Sequence, residues 1–208
     1  MYDPAPAQTS VARDDVRALT LVRHGRPALD RRRPMPARAY VAWWAAYDAG
    51  GLAAGQSPPD ALRAEVAGAK TLVSSPLRRS LETAQALARG RPILIEPLLV
   101  EARLPPPPLP DFLKLRPPNW GVVSRLSWWL GHSGGQESRT AAEARAAQAA
   151  KRLIKLSDHG PLVAFGHGWF NRMLRPHLRN QGWRCVTDGR DGYWRFRRYE
   201  GPIGPFAS

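Results

Sequence analysis

Cysteine, acid and long apolar runs are the scarce things in this 208-residue sequence. One cysteine, Cys185, excludes an internal disulfide framework and any zinc site built on thiolates. The apolar run Tyr40–Tyr47 stops far short of the about 20 residues a membrane-spanning helix needs. The start, MYDPAPAQTSVARDD, has no basic segment followed by an apolar one, so no secretory leader is expected. A soluble, cytoplasmic protein with no membrane partner is the expectation. Acid is outnumbered, with 17 Asp and Glu against 31 Lys and Arg, a formal net charge of +14. Lysine is nearly absent: Lys70, Lys114, Lys151 and Lys155 are all there is, so 27 of the basic residues are arginine. Such an excess suits an anionic partner, whether nucleic acid, membrane phosphate or a phosphorylated substrate; its plainer source is arginine-rich usage.

What is present reads as one folded domain. Hydrophobic residues make up 43% of the chain, which excludes wholesale disorder. The 21 prolines and 18 glycines make it loop-rich without making it low-complexity. No repeat or long linker divides it. Residues 1–16 read as a flexible tail and 17–208 as a single domain. Short β-prone runs at Ala18–Val22, Thr71–Ser74, Ile93–Ile95 (extending toward Val100) and Leu162–Phe165 predict buried strands. Helical patterns fall between them at Ala39–Asp48, Pro59–Gly68, Pro76–Arg89, Trp120–Leu130, Thr140–Leu156 and about 169–179. Thr140 and Glu143 have capping-box spacing, and Ser75 with Pro76 reads as an N-cap and first turn. Tyr193–Tyr199 alternates aromatic residues with arginine, as a half-exposed last strand would. Alternating strands and helices imply an α/β fold: a three-layer α/β/α sandwich with a mainly parallel central sheet.

Ligands of such sheets bind at the carboxyl ends of the strands. The four predicted strand ends deliver Arg23-His24-Gly25, Ser74-Ser75-Pro76-Leu77-Arg78-Arg79, Glu101 with Arg103, and Gly166-His167-Gly168. Two imidazoles, several guanidiniums and a carboxylate therefore meet at one edge. Arg78 and Arg79 also sit in the first turns of a helix, where the macrodipole disfavours cations by about 0.3–1 kcal/mol each. A bound anion would remove that conflict.

LVRHGRP, SSPLRRSLETAQAL and VAFGHGWFNRML, in that order over about residues 18–180, resemble the hallmark blocks of the histidine phosphatase superfamily. The likeness is to the phosphoglycerate mutase-like branch with cofactor-dependent mutases and small phosphatases. It implies that His24 is the histidine that becomes phosphorylated. It implies that Arg23, Arg79 and His167 bind the phosphoryl group, and that Glu101 in Leu-Val-Glu-Ala-Arg is the proton donor. Leu77, Arg79, Ser80 and Thr83 fall on the pattern of the second block, so the phosphate arginine is Arg79 and Arg78 is its neighbour. Arg26 and Arg78 are candidate substrate contacts. The resemblance implies no metal and no cofactor.

The sequence also departs from the mutase pattern. Arg26-Pro27-Ala28-Leu29-Asp30 stands where an acid or amide, a threonine and an asparagine are common, and a proline-dense loop follows Glu101. Hydrolysis of a small phosphorylated substrate is therefore favoured. The runner-up is mutase-type transfer or protein-phosphohistidine hydrolysis. An alternative of another class is non-catalytic binding of nucleic acid or another polyanion, which would not need Arg23, His24, Arg79 and His167 in register. The loop Leu104–Trp120 and the helix after it are expected to form lid and substrate wall. Arg31-Arg32-Arg33 reads as a solvated loop that steers anions. Trp43-Trp44 and Trp128-Trp129 read as core and rim. The basic residues between Arg172 and Arg198 read as a surface patch. His132, His159 and His177 sit in no ligand-like spacing.

Overall fold

The computed structural model describes residues 17–202; the N-terminal segment 1–16, read above as a tail, lies outside the described residues. Six strands form one sheet: β1 Ala18–Arg23, β2 Thr71–Ser74, β3 Leu94–Ile95, β4 Leu162–Gly166, β5 Arg184–Asp188 and β6 Phe196–Glu200. Their spatial order is β3-β2-β4-β1-β6-β5. The first four run parallel, and β6 and β5 add an antiparallel edge. From β1 the chain passes two places over to β2, steps out to β3, then returns to fill the gap with β4. That reversal makes the carboxyl ends of β1, β4 and β2 neighbours.

Alternation along the strands builds a core on each face. Leu19 and Leu21 of β1, with Leu162 and Ala164 of β4, pack under α5 (Arg139–Leu156) and α6 (Gly168–Asn180). Val22, Leu72, Val163 and Phe165 face the other way, under α2 (Asp60–Ala67) and α3 (Arg78–Ala88). The α5 face that meets the sheet is largely alanine, Ala142, Ala146, Ala149 and Ala150, which lets the helix lie close. This is the three-layer sandwich expected from the sequence. The two remaining helices, α1 (Ala37–Ala49) and α4 (Pro117–Trp129), join through a small cluster of their own around Ala37, Tyr40 and Trp120. Paired backbone bonds between Met35 and Leu115, at 2.9 and 3.0 Å, tie their leading loops together.

Several local expectations need correction. The strand after Ile93 lasts two residues, and a 3-10 turn at Pro97–Leu99 replaces the rest. Two prolines at the first positions start α4 at Pro117 rather than Trp120, where a missing N–H costs nothing. Ser138, not Thr140, caps α5 through its side chain. Helix α3 starts at Arg78, after Leu77, so Ser75 is not its cap. The last strand begins at Phe196, and β5 beside it has no counterpart among the predicted strands.

Candidate active site

Register places the two site histidines side by side. Arg23 pairs with Gly166 across β1 and β4, so the residues after them, His24 and His167, leave the sheet together. Their ring centroids are 5.2 Å apart and both side chains are buried. His24 Nδ1 lies 2.7 Å from the carbonyl oxygen of Gly25. A ring nitrogen facing a carbonyl must carry the proton, so neutral His24 presents its lone pair at Nε2. Burial, then the charges of Arg79 and Arg23, push its pKa well below the ordinary value. His167 is held by Ser75 Oγ at 2.9 Å and Ser80 Oγ at 3.3 Å, both at Nε2, while Nδ1 has no partner among the described residues. Burial and then Arg79 depress its pKa as well. Ser75 thus serves His167 rather than a helix end.

Arg79 is fully buried at the first turn of α3. The last turn of α1 grips it: its NH1 donates to the Tyr47 carbonyl at 2.9 Å and its NH2 to Asp48 Oδ1 at 3.2 Å. The Tyr47 ring covers the guanidinium at 4.3 Å. Among the described residues its Nε has no partner, and neither has Nε of Arg23. Arg23 donates to the Asp191 carbonyl and stacks at 4.4 Å on Tyr193. Buried N–H groups left open are costly, by about 1–3 kcal/mol each. Around His24 the unpartnered atoms belong to two guanidiniums and an imidazole, and these are groups that hold anionic oxygens. Gly168 permits the approach of Arg23: a Cβ there would lie 3.0 Å from Nε.

Glu101 is half-buried after the 3-10 turn, and its carboxylate accepts from the first amides of α6, Phe170 at 2.8 Å and Trp169 at 3.3 Å. Burial raises its pKa, against the opposing pull of Arg79 and those amides. It lines a cavity of about 240 Å³ that opens beside Arg23. The walls come from α1 (Tyr40, Trp43, Trp44, Tyr47), α4 and its leading prolines (Pro117, Pro118, Gly121, Arg125), Trp169 and Arg172 of α6, Arg31, and Asp191. On α1 the rings run in a column. Tyr47 stacks on Trp43 (5.0 Å, 20°), Trp43 on Tyr40 (5.5 Å, 9°) and Tyr40 on Trp120 of α4 (5.9 Å, 26°). With Arg79 against Tyr47, the column joins the buried guanidinium to α4.

The structure brings together Arg23, His24, Arg79, Glu101 and His167. It leaves Arg26 and Arg78 out. Arg26 is exposed with its backbone bonded to Gln56, and Arg78 is exposed in an i,i+4 pair with Glu82 at 2.7 Å. Arg103 turns to the other oxygen of Asp48 at 3.2 Å. Asp48, Tyr193 and Asp191 were not visible as site residues. Asp48 looks like the end of an aromatic helix, and the other two sit in a stretch that Asp188-Gly189 and Asp191-Gly192 mark as a turn but not as part of a site. The C-terminal basic patch is partly spent on Asp191, which gathers Arg172, Arg175 and Arg197. Trp43 and Trp44 line the cavity instead of serving only as core, and the prolines at 105 and 106 border a separate groove. No group of three or more His, Cys, Asp or Glu among the described residues is arranged for a metal ion, and no helix among them is long and apolar enough to cross a membrane.

A family model described as histidine phosphatase superfamily (branch 1) matches residues 19–186. No curated protein matches the chain. Among solved structures, it is similar to a mycobacterial glucosyl-3-phosphoglycerate phosphatase complexed with VO3, with a TM-score of 0.51 and 21% identity over 77% of this chain and 79% of that one. It is also similar to a phosphoserine phosphatase mutant from Entamoeba histolytica in complex with phosphoserine, with a TM-score of 0.51 and 18% identity over 78% of this chain and 80% of the other. At these identities the two structures establish the fold.

Proposed function

The chain belongs to branch 1 of the histidine phosphatase superfamily, and from that membership we propose that it hydrolyses phosphomonoesters through a phosphohistidine on His24. The observation that carries the reading is the buried histidine with Nδ1 pinned to its own chain and Nε2 left as the basic nitrogen, among guanidiniums with open N–H groups. The superfamily's phosphatases and the two solved relatives, named for phosphatase activity, are consistent with it.

A neutral imidazole approaches a phosphate dianion without charge repulsion, and the depressed pKa keeps His24 neutral. In the first step Nε2 attacks phosphorus in line. The N–P bond forms as the ester P–O bond breaks, and the leaving alkoxide takes the Glu101 proton. Arg23, Arg79 and His167 hold the equatorial oxygens, and positioning and charge supply most of the rate. A dianion beside His167 favours its protonated form and makes Nδ1 a donor. In the second step Glu101 takes a proton from water, which attacks phosphorus. The N–P bond breaks, inorganic phosphate leaves and His24 is restored. The steps run through side chains alone. The reading takes a small phosphorylated molecule as partner, no nucleic acid, and a cytoplasmic setting.

The test is turnover of an aryl phosphate by the wild type and by His24→Ala, with intact mass after an alkaline quench. The expected result is a phosphoryl adduct that localises to His24, and a loss of about 10³-fold or more in the variant. Undiminished turnover in His24→Ala would overturn the nucleophile assignment. Salt-sensitive RNA binding with no hydrolysis of any ester would favour the polyanion-binding alternative instead.

A further inference from the structure

Four guanidiniums line the cavity beside Glu101, and a phosphoryl group does not use them all. Arg172 is matched by Asp191, onto whose Oδ2 it donates through two nitrogens at 2.9 and 2.7 Å. Arg23, Arg31 and Arg125 have no carboxylate partner among the described residues. Arg23 is committed to the phosphoryl pocket. Among the described residues Arg31 donates only to the hydroxyl of Tyr193. The guanidinium of Arg125, a partly buried residue of α4, has no hydrogen bond to any described residue and lies over the ring of Trp169 at 4.4 Å. Both carboxylates of the cavity are engaged, Asp191 by arginines and Glu101 by the amides of α6. A phosphate dianion offsets two positive charges, and Asp191 and Asp48 are each shared among several arginines, so at least one cavity guanidinium lacks a counterion when Glu101 carries its proton.

The aromatic wall points the same way. The faces of Tyr40, Trp43 and Tyr47 are taken up within the column, so they meet a ligand with their edges. Ring edges are electropositive and suit oxygen-rich groups, whereas stacking of a flat base needs free faces. These three rings therefore add to the attraction for anionic oxygens and offer no free face to a nucleobase.

We infer that the cavity selects phosphomonoesters that carry a second acidic group, and that Arg125 and Arg31 receive that group. The inference rests on the hydrolase reading and names the substrate class of the same site. Arg125 and Arg31 are specificity-determining residues, reached from α4 and from the loop after β1. The second group is a carboxylate or another phosphate; the guanidinium fork binds either.

The test compares kcat/KM for phosphoglycolate, propane-1,3-diol bisphosphate and ethyl phosphate. The wild type is expected to prefer at least one acid-bearing ester by about tenfold or more. The two acid-bearing esters distinguish carboxylate from phosphate. In Arg125→Gln the ratio of acid-bearing to plain ester is expected to fall toward one, and Arg125→Lys to keep part of it. Thermal melts of both variants check that they are folded. A wild-type ratio near one, with all three esters turned over, overturns this inference and leaves the hydrolase reading standing. An unchanged ratio in a folded Arg125→Gln overturns the role of Arg125. No turnover of any ester, aryl phosphates included, overturns the hydrolase reading and this inference with it.

Discussion

The six-membered ring of Trp194 lies over Gly25, and a Cβ at that glycine would come within 2.5 Å of it. That indole cannot simply retreat: its Nε1 donates to Gln56 at 2.7 Å and its backbone already has φ of 60°. Gly25→Ala is therefore expected to destabilise the fold by about 1–3 kcal/mol and to lower turnover by shifting the loop over His24, measured by thermal melts and kcat. Glu101 permits a sharper test. Its carboxyl must be protonated to serve as acid and is held above its ordinary pKa by burial; His24 must be neutral and is held below its own. Rates on alkyl phosphates should fall in acid as His24 gains its proton and fall in base as Glu101 loses its own. The optimum is then expected on the acid side of neutrality. Glu101→Gln should erase the alkaline limb and slow alkyl esters by about 10²–10⁴-fold, with a smaller loss on aryl phosphates. Equal losses on both ester types would count against the acid role. His24 and His167 were legible as candidates because each directly follows a buried strand that announces itself by composition, and Arg23 because it ends one. Asp48 was not, because its partnership with Arg79 crosses from α1 to α3 and leaves no mark on spacing.

The element that closes the site from the far side is the turn between β5 and β6. Tyr193 stands 5.7 Å from the His24 ring, the Asp191 carbonyl holds Arg23, and the Asp191 carboxylate collects Arg172, Arg175 and Arg197. Burial opposes ionisation of that carboxylate, but the arginine hydrogen bonds and charges outweigh it and bring its pKa down to about 2. Asp191→Asn leaves three cations facing one another. It is expected to cost about 1–3 kcal/mol of stability and to weaken inhibition by inorganic phosphate through a displaced Arg23, both measurable on the purified variant. An unchanged phosphate inhibition constant would show that the turn is scaffold only. This hairpin is also where the sequence was least informative about the fold. Strand β5, Arg184-Cys185-Val186-Thr187-Asp188, is largely exposed at the sheet edge, so it lacks the apolar run that revealed β1, β2 and β4. The inner parallel strands β1, β2 and β4 are buried on both faces and read at once; an edge strand, β5 or the exposed two-residue β3, leans on its neighbour's backbone and need not advertise itself.

At the scale of the whole molecule, +14 is more than one pocket requires. That figure already counts the acids at Asp48, Asp191 and along the helices, and the cavity, with Arg23, Arg31, Arg125 and Arg172 in its wall, keeps a positive mouth. The second-order rate with a dianionic ester should therefore fall several-fold as ionic strength rises from about 10 to 200 mM, since the Debye length shrinks to about 8 Å near physiological salt. Stability carries its own pH signature. His24 and His167 are held neutral when folded, and in the unfolded chain they take up protons below about pH 6.5. Their contribution is complete above that pH and declines as the solution is acidified, because the unfolded state then binds more protons. Replacing both with asparagine should flatten the fall in melting temperature between about pH 7 and 5 relative to the wild type.

The ring column has an optical consequence. Tyr47, Trp43, Tyr40 and Trp120 are stacked at separations of 5.0 to 5.9 Å, so their transition dipoles couple in a fixed chiral arrangement with a guanidinium charge at one end. An oxyanion arriving at Arg79 changes the field along the whole array. Occupancy of the pocket should then be readable without a label, as a change in near-ultraviolet circular dichroism on titration with phosphate or vanadate, and Tyr47→Leu should silence it.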